Sequence, residues 1–379
     1  MIRSQQSLPV PAIASFALVL LAIADTLRSA EIPGQAVVAS TPAPVVLVTN
    51  VHAFSVTKHP TLPLLYLTCS GAPESRNLVT LRLNADGSLM EGSQRTWPNY
   101  LSTNSTNITF RHSIPRPVVF AERKVLYLAA YPSDAPRYCA ETNNNEVAIV
   151  GLDEQGQPAK LLQAFRTTNP GHGIKTLGWD PVARRLFFSY DGNGWFGWCQ
   201  MDRDGLLVSS QTHFLAFPNG FWSYVYLPEW QRFYGSRANT ALGIMRLAGD
   251  GLSEAFIQYA ESGTGGFDNI ELSRKCLKLY ALDGTHNKQV RVYRLTHDGR
   301  LTGVPRFFPL AGEPKLIRFD FKAGFLYALS GNGALKIYPL DSDGYPTGVS
   351  QMFQLSCDEV RDAVVDEATG KVYVACRAS

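Results

Sequence analysis

Short runs of alternating apolar and polar residues fill most of this chain. Val290, Val292 and Leu295 alternate with Arg291 and Arg294, and Leu335, Ile337 and Leu340 with Lys336 and Tyr338. A period of two sends successive side chains to opposite faces of an extended strand, so these runs predict strands with one face buried. After the N-terminal apolar stretch, no long segment carries a helical period. The pattern also recurs over long range, as an apolar–aromatic step at Leu65-Tyr66, Leu126-Tyr127, Leu186-Phe187, Phe233-Tyr234, Leu279-Tyr280, Leu326-Tyr327 and Val372-Tyr373. The aromatic positions lie 61, 60, 47, 46, 47 and 46 residues apart, so one period runs through the chain and two intervals carry an added segment.

A self-similar unit of this length is the mark of a propeller blade. Each copy reads as an apolar run, a polar turn, the aromatic strand, a loop, an alternating strand, a tight turn and a further strand, which makes four strands per unit. The tight turns are Asp86-Gly87, Gln155-Gly156, Asp204-Gly205, Asp250-Gly251, Asp298-Gly299 and Asp343-Gly344. Glycine supplies the positive φ that a two-residue hairpin loop requires. The predicted fold is all-β: a seven-bladed β-propeller of four-stranded antiparallel blades, forming one domain over residues 31–379. The Tyr and Phe of the repeated step are expected between blades as core. The seventh copy holds only its first two strands before Ser379. The β-branched segments Gln35–Ala39 and Val45–Thr49 are expected to complete it and close the ring, protecting the sheet edges.

Composition changes the picture at the N-terminus. Arg3 precedes an apolar stretch from Ala12 to Ala24, with small residues suited to cleavage after Ala24 or Ala30. That stretch is too short for a membrane span, so residues 1–30 read as a signal peptide and the mature chain as secreted or periplasmic. The formal charge of +3 and the lack of long like-charge runs argue against nucleic acid as a partner. The six cysteines include no C-x-x-C pair, which leaves zinc and thioredoxin-like chemistry without support. Cys69 and Cys376 fall at equivalent places in neighbouring blades, yet adjacency fixes no bond geometry.

Several blade phrases are familiar. Residues 288–303 (KQVRVYRLTHDGRLTG), 77–89 (NLVTLRLNADGSL), 335–344 (LKIYPLDSDG) and 366–374 (DEATGKVYV) resemble the blade motif of lactonase-type propellers. That group includes bacterial 6-phosphogluconolactonase and fungal carboxymuconate cyclase. The resemblance spans nearly the whole mature chain, and it implies a monomeric, cofactor-independent lactonase or cycloisomerase. It rests on blade-building residues, which speak to shape before chemistry.

Segments leading into each first strand, and loops joining second to third strands, gather on one face of a propeller around its axis. The first set offers His112, Arg116, His172, Lys175, Trp222, Asp268, Asn269, Lys315, Arg318, Arg361 and Asp362, and the second adds Arg237 and His286. The set is rich in cations, which suits a small anionic or sugar-derived ligand. Lactone hydrolysis needs a base to activate water and a donor to hold the developing oxyanion. We therefore expect His172, His286, Arg237 and Arg361 to be catalytic, and Lys175, Trp222, Asp268, Asn269, Lys315 and Arg318 to bind substrate.

Other motifs carry less. Residues 192–197 (GNGWFG) satisfy G-x-G-x-x-G but lead into a strand rather than a helix, so they read as a blade loop. Residues 341–344 (DSDG) open like a calcium loop, but Met352 stands where the bidentate glutamate belongs. Asp268, Asn269 and Asp362 alone make a thin case for a bound metal, and none is expected. The added segments, about Tyr100–Ser113 and Pro132–Asn145, are candidates for specificity. A noncatalytic propeller that binds protein or carbohydrate through Trp195, Trp198, Phe221 and Trp222 is the alternative reading.

Overall fold

The computed structural model describes residues 45–47, 53–69, 78–97, 108–109, 116–132, 146–167, 174–190, 195–216, 223–236, 241–247, 253–261, 268–283, 287–356 and 358–377. β1 (Val45–Leu47) precedes a first sheet of β2 (Ala53–Lys58), β3 (Leu64–Cys69), β4 (Leu78–Arg82) and β5 (Arg95–Trp97). The second sheet holds β6 (Ile108–Thr109), β7 (Val118–Phe120), β8 (Val125–Pro132), β9 (Glu146–Leu152) and β10 (Pro158–Arg166). The third holds β11 (Ile174–Asp180), β12 (Arg185–Tyr190), β13 (Trp195–Met201) and β14 (Leu207–Ala216). The fourth holds β15 (Ser223–Leu227), β16 (Arg232–Ser236), β17 (Ala241–Leu247) and β18 (Ser253–Glu261). The fifth holds β19 (Asn269–Ser273), β20 (Lys278–Asp283), β21 (Gln289–Leu295) and β22 (Leu301–Pro309). The sixth holds β23 (Pro314–Asp320), β24 (Phe325–Ser330), β25 (Ala334–Pro339) and β26 (Gln351–Gln354). A last sheet joins β27 (Glu359–Asp366), β28 (Lys371–Arg377) and β1.

The first six sheets are antiparallel meanders of the propeller type, so the structure has six four-stranded blades rather than the seven expected. β6 is an extra strand on the second, pairing with the end of β8 beyond β7. The last sheet departs from the expected pattern because β1 lies parallel to β28, with Val45 opposite Tyr373. Chain direction explains this. In every blade the outermost strand leads on to the innermost strand of the next, and two antiparallel steps make the outermost strand parallel to the second. β1 leads on to β2, so it has the direction of an outermost strand while pairing directly with the second. Gln35–Ala39 lies outside the described residues, as do residues 1–30 and the Asp250-Gly251 turn.

The core sits between sheets. Val56, Leu65, Leu67 and Val79 of the first blade pack on Tyr373 and Ala375 of the last sheet. On its other side, Val360, Val372 and Val374 pack on Leu316, Leu329 and Ile337 of the sixth. Burial of such apolar area is the main stabilising term.

The repeated tyrosines are core and more than core. Tyr66, Tyr127, Tyr234, Tyr280 and Tyr373 are fully buried. Each donates its hydroxyl to a glycine carbonyl in the neighbouring sheet: Gly156, Gly205, Gly299, Gly344 and Gly87 respectively, at 2.6–2.7 Å. The acceptors are the glycines of the tight turns, so the two sequence repeats interlock. The turns hold three residues rather than two. Gly156 N–H returns to Asp153 O while Asp153 N–H reaches Gln157 O, and Gly156 takes φ +74°, the type I turn plus bulge of a three-residue hairpin. Tyr327 has the same place in the sixth blade, but its hydroxyl has no partner among the described residues.

Candidate active site

The innermost strands converge on one cavity of about 480 Å³. Its wall takes Phe54 and Ser55 from β2, Arg116 from just before β7, and Thr176 from β11. Ser223 and Tyr224 come from β15, Asn269 and Glu271 from β19, Lys315 and Arg318 from β23, and Arg361 and Asp362 from β27. All seven sheets therefore contribute. Asn269 and Glu271 stand two apart on β19 and so share a face of that strand.

Asp362 organises the wall. Its carboxylate accepts Arg116 Nε at 2.8 and 3.0 Å, Arg116 Nη2, Arg318 Nη2 at 2.9 Å, and the N–H groups of Val56 at 3.1 Å and Ala363 at 2.8 Å. Burial pushes this carboxyl above its usual range, and the Arg116 guanidinium and the backbone N–H donors oppose the rise without cancelling it. Arg318 is saturated too: Nε donates to Ala363 O at 2.7 Å, and Nη1 to Asn269 Oδ1 at 3.1 Å and Glu271 Oε1 at 2.7 Å. Asn269 Oδ1 also accepts Ile317 N–H at 3.1 Å. Glu271, Arg318, Asp362 and Arg116 thus form a chain of alternating charge across four sheets.

Glu271 differs from Asp362 in having one hydrogen-bond partner rather than several among the described residues. Its side chain keeps 24% exposure, toward the cavity. Burial pushes its carboxyl up to about 7, with Asp362 adding to the rise and Arg116 opposing it. A carboxylate that titrates near neutrality and faces open space is suited to take a proton from water.

Of the residues expected from sequence, Asp268, Asn269, Lys315, Arg318 and Arg361 come together in this cavity. Asn269 and Arg318 are buried and commit their polar atoms to the wall, whereas Lys315 and Arg361 are exposed to the lumen. His172, His286, Arg237 and Trp222 lie outside the described residues. So does the side chain of Lys175, whose backbone adjoins Thr176 in β11. The expected excess of cations is offset in the structure. Arg116 and Arg318 face Asp362 and Glu271, and Arg361 pairs with Glu359 at 2.6 Å while lying over Phe54. Asp362, weighed for a metal, is already engaged by two guanidiniums. Trp198, weighed as a binding aromatic, is instead buried in the core with Phe187, Phe196 and Phe233.

No family model matches the sequence, and no curated protein is similar to it. Solved structures are similar in fold. A protein from Lactobacillus plantarum shares 15% identity at a TM-score of 0.61, with 83% of this chain and 87% of that one covered. The periplasmic gluconolactonase of Pseudomonas aeruginosa shares 14% at 0.61, with 80% and 85% covered. A 6-phosphogluconolactonase candidate from Bacteroides fragilis shares 12% at 0.62, with 82% and 86% covered. The fold is that of the lactonase-type β-propellers. Among the described residues, no helix is long and apolar enough to cross a membrane.

Proposed function

We propose that this chain is an exported lactonase-type hydrolase that opens a small lactone in the axial cavity. The observation that carries the reading is Glu271, a near-neutral carboxylate facing a cavity that also presents Lys315, Arg361 and Arg116. Glu271 takes a proton from water as the water oxygen attacks the lactone carbonyl. A cation at the lumen, Lys315 or Arg361, offsets the charge that develops on the carbonyl oxygen. Collapse breaks the ring C–O bond, and the ring oxygen takes the remaining water proton. The fold of two neighbours whose names carry lactonase chemistry supports the same reading.

His172, His286, Arg237 and Trp222 belong to this proposal as further groups around the mouth, with Lys175 beside them. The last sheet, packed between the first and sixth blades, is read as a seventh blade that closes the ring in a single domain over 31–379. Residues 1–30 are read as the export signal, and the mature protein as a monomer.

A pH-stat panel of sugar-acid γ- and δ-lactones tests the activity. Acid release above the blank is expected for at least one lactone, with a loss of 100-fold or more in Glu271→Gln. Absence of turnover across the panel, or a Glu271→Gln variant as fast as the parent, overturns the proposal.

A further inference from the structure

Among the described residues, the cavity carries no spare charge for an anion. Among the described residues it is lined by Arg116, Lys315, Arg318 and Arg361 against Asp268, Glu271 and Asp362, and Glu359 just outside pairs with Arg361. The lining and that partner balance. Yet lactone opening creates a new anion there, because the ester becomes a carboxylate. A carboxylate placed in a charge-balanced, partly desolvated cavity is opposed by the carboxylates already present. Its entry is favoured if one of them becomes neutral.

The structure says which one. Asp362 already accepts hydrogen bonds from both arginines and two backbone N–H groups, so its carboxylate is matched within the wall. Among the described residues Glu271 accepts one hydrogen bond, from Arg318, and its side chain lines the cavity. Among the described residues, the charged and titratable groups that line the cavity with it are these. Lys315 and Arg318 come from β23, Asp362 and Arg361 from β27, Tyr224 from β15, Arg116 from before β7, and Asp268 from its own segment. Tyr280, opposite Glu271 on β20, turns its hydroxyl to Gly344.

We propose that the cavity binds a small hydroxycarboxylate together with one proton, that the proton resides on Glu271, and that product departs as Glu271 gives the proton up. This rests on the lactonase reading and deepens it. The proton balance is complete. Water supplies one proton to Glu271 and one to the ring oxygen, so the ester C–O bond is replaced by a carboxylate and an alcohol. The protonated Glu271 then donates a hydrogen bond to the product carboxylate, where an ionised Glu271 would repel it.

Calorimetric titration with sodium D-gluconate, in phosphate and in Tris at matched pH, tests this. Binding is expected with uptake approaching one proton at pH 8, and with affinity falling about tenfold per pH unit once Glu271 is ionised in the free protein. Glu271→Gln should still bind gluconate, with no buffer-dependent heat and no pH dependence from 6 to 9. Gluconate binding without proton uptake, no binding at pH 6, or uptake that survives in Glu271→Gln overturns the proposal. Failure is distinguishable from failure of the lactonase reading. Lactone turnover without proton-linked product inhibition sinks this inference alone, and proton-linked gluconate binding without turnover sinks the other.

Discussion

Replacing Tyr280 with Phe removes one oxygen from a fully buried ring and leaves its packing against Phe319 in place. What is lost is the 2.7 Å hydrogen bond to the Gly344 carbonyl, which ties the fifth sheet to a turn of the sixth. A buried hydrogen bond contributes about 1 kcal/mol net, and an acceptor stranded without water adds to that, so a loss of roughly 1–2 kcal/mol is expected. In a protein of this size that corresponds to a fall in Tm of roughly 1–3 °C. Tyr66→Phe, Tyr127→Phe, Tyr234→Phe and Tyr373→Phe should cost about the same, because their geometries match. Tyr327→Phe is the control. Its hydroxyl is buried without a partner among the described residues, and deleting it should leave Tm unchanged or slightly raised. Differential scanning calorimetry of the six variants decides the matter. Equal losses in Tyr327→Phe and Tyr280→Phe, or silence in all six, would refute the interlocking role of these hydroxyls.

Gly299→Val should be the harsher change, because a Cβ there lands 2.4 Å from Tyr234 Oη at φ +82°. A β-branched residue in that backbone region plus the broken interlock should cost about 3 kcal/mol, whereas Gly303→Ala, with φ +70° and open space around it, should cost about 1. Urea midpoints for the pair would show the difference. Lys315→Ala should raise KM for an active lactone about tenfold with stability held within about 0.5 kcal/mol, since the side chain faces the lumen; an unchanged KM removes it from the site. Turnover should rise with pH through about 7 as Glu271 becomes the free base, and a flat profile between pH 5.5 and 8.5 would contradict that role. His59 should weaken the fold in acid. Its Nδ1 accepts N–H groups of Thr61 and Leu62, and burial, with Lys58 nearby, holds it below its usual value. The unfolded chain therefore binds the proton first, so stability is full above pH 6.5 and declines as pH falls below it. His59→Asn should flatten that limb of the Tm curve.

The blades were legible because period-two alternation and a long-range repeat record the same physical demand, a buried face on every strand. What the repeat could not convey was the partner of each tyrosine hydroxyl, since that partner sits in the neighbouring unit. Hairpin loop length was misread for a similar reason: Asp-Gly marks the positive φ, while the residue that closes the loop is Asp153 or Asp202, two positions before the pair. In the site, Arg318 and Asp362 were readable as residues leading along inner strands. Glu271 was not singled out, although it stands two after Asn269 and so shares its face; in an alternating strand a glutamate looks like an outward residue. The direction of β1 followed from connectivity, and composition holds no trace of it.

Asp362 also has a mechanical meaning. It gathers contacts from strands that lie far apart in the chain, 306 residues from Val56 and 246 from Arg116. It therefore works like a keystone, with the first and sixth blades leaning on it from either side. Any molecule seated beside it borders on the contacts that join the last sheet to the first blade, so occupancy of the cavity and resistance to separating those sheets should rise together.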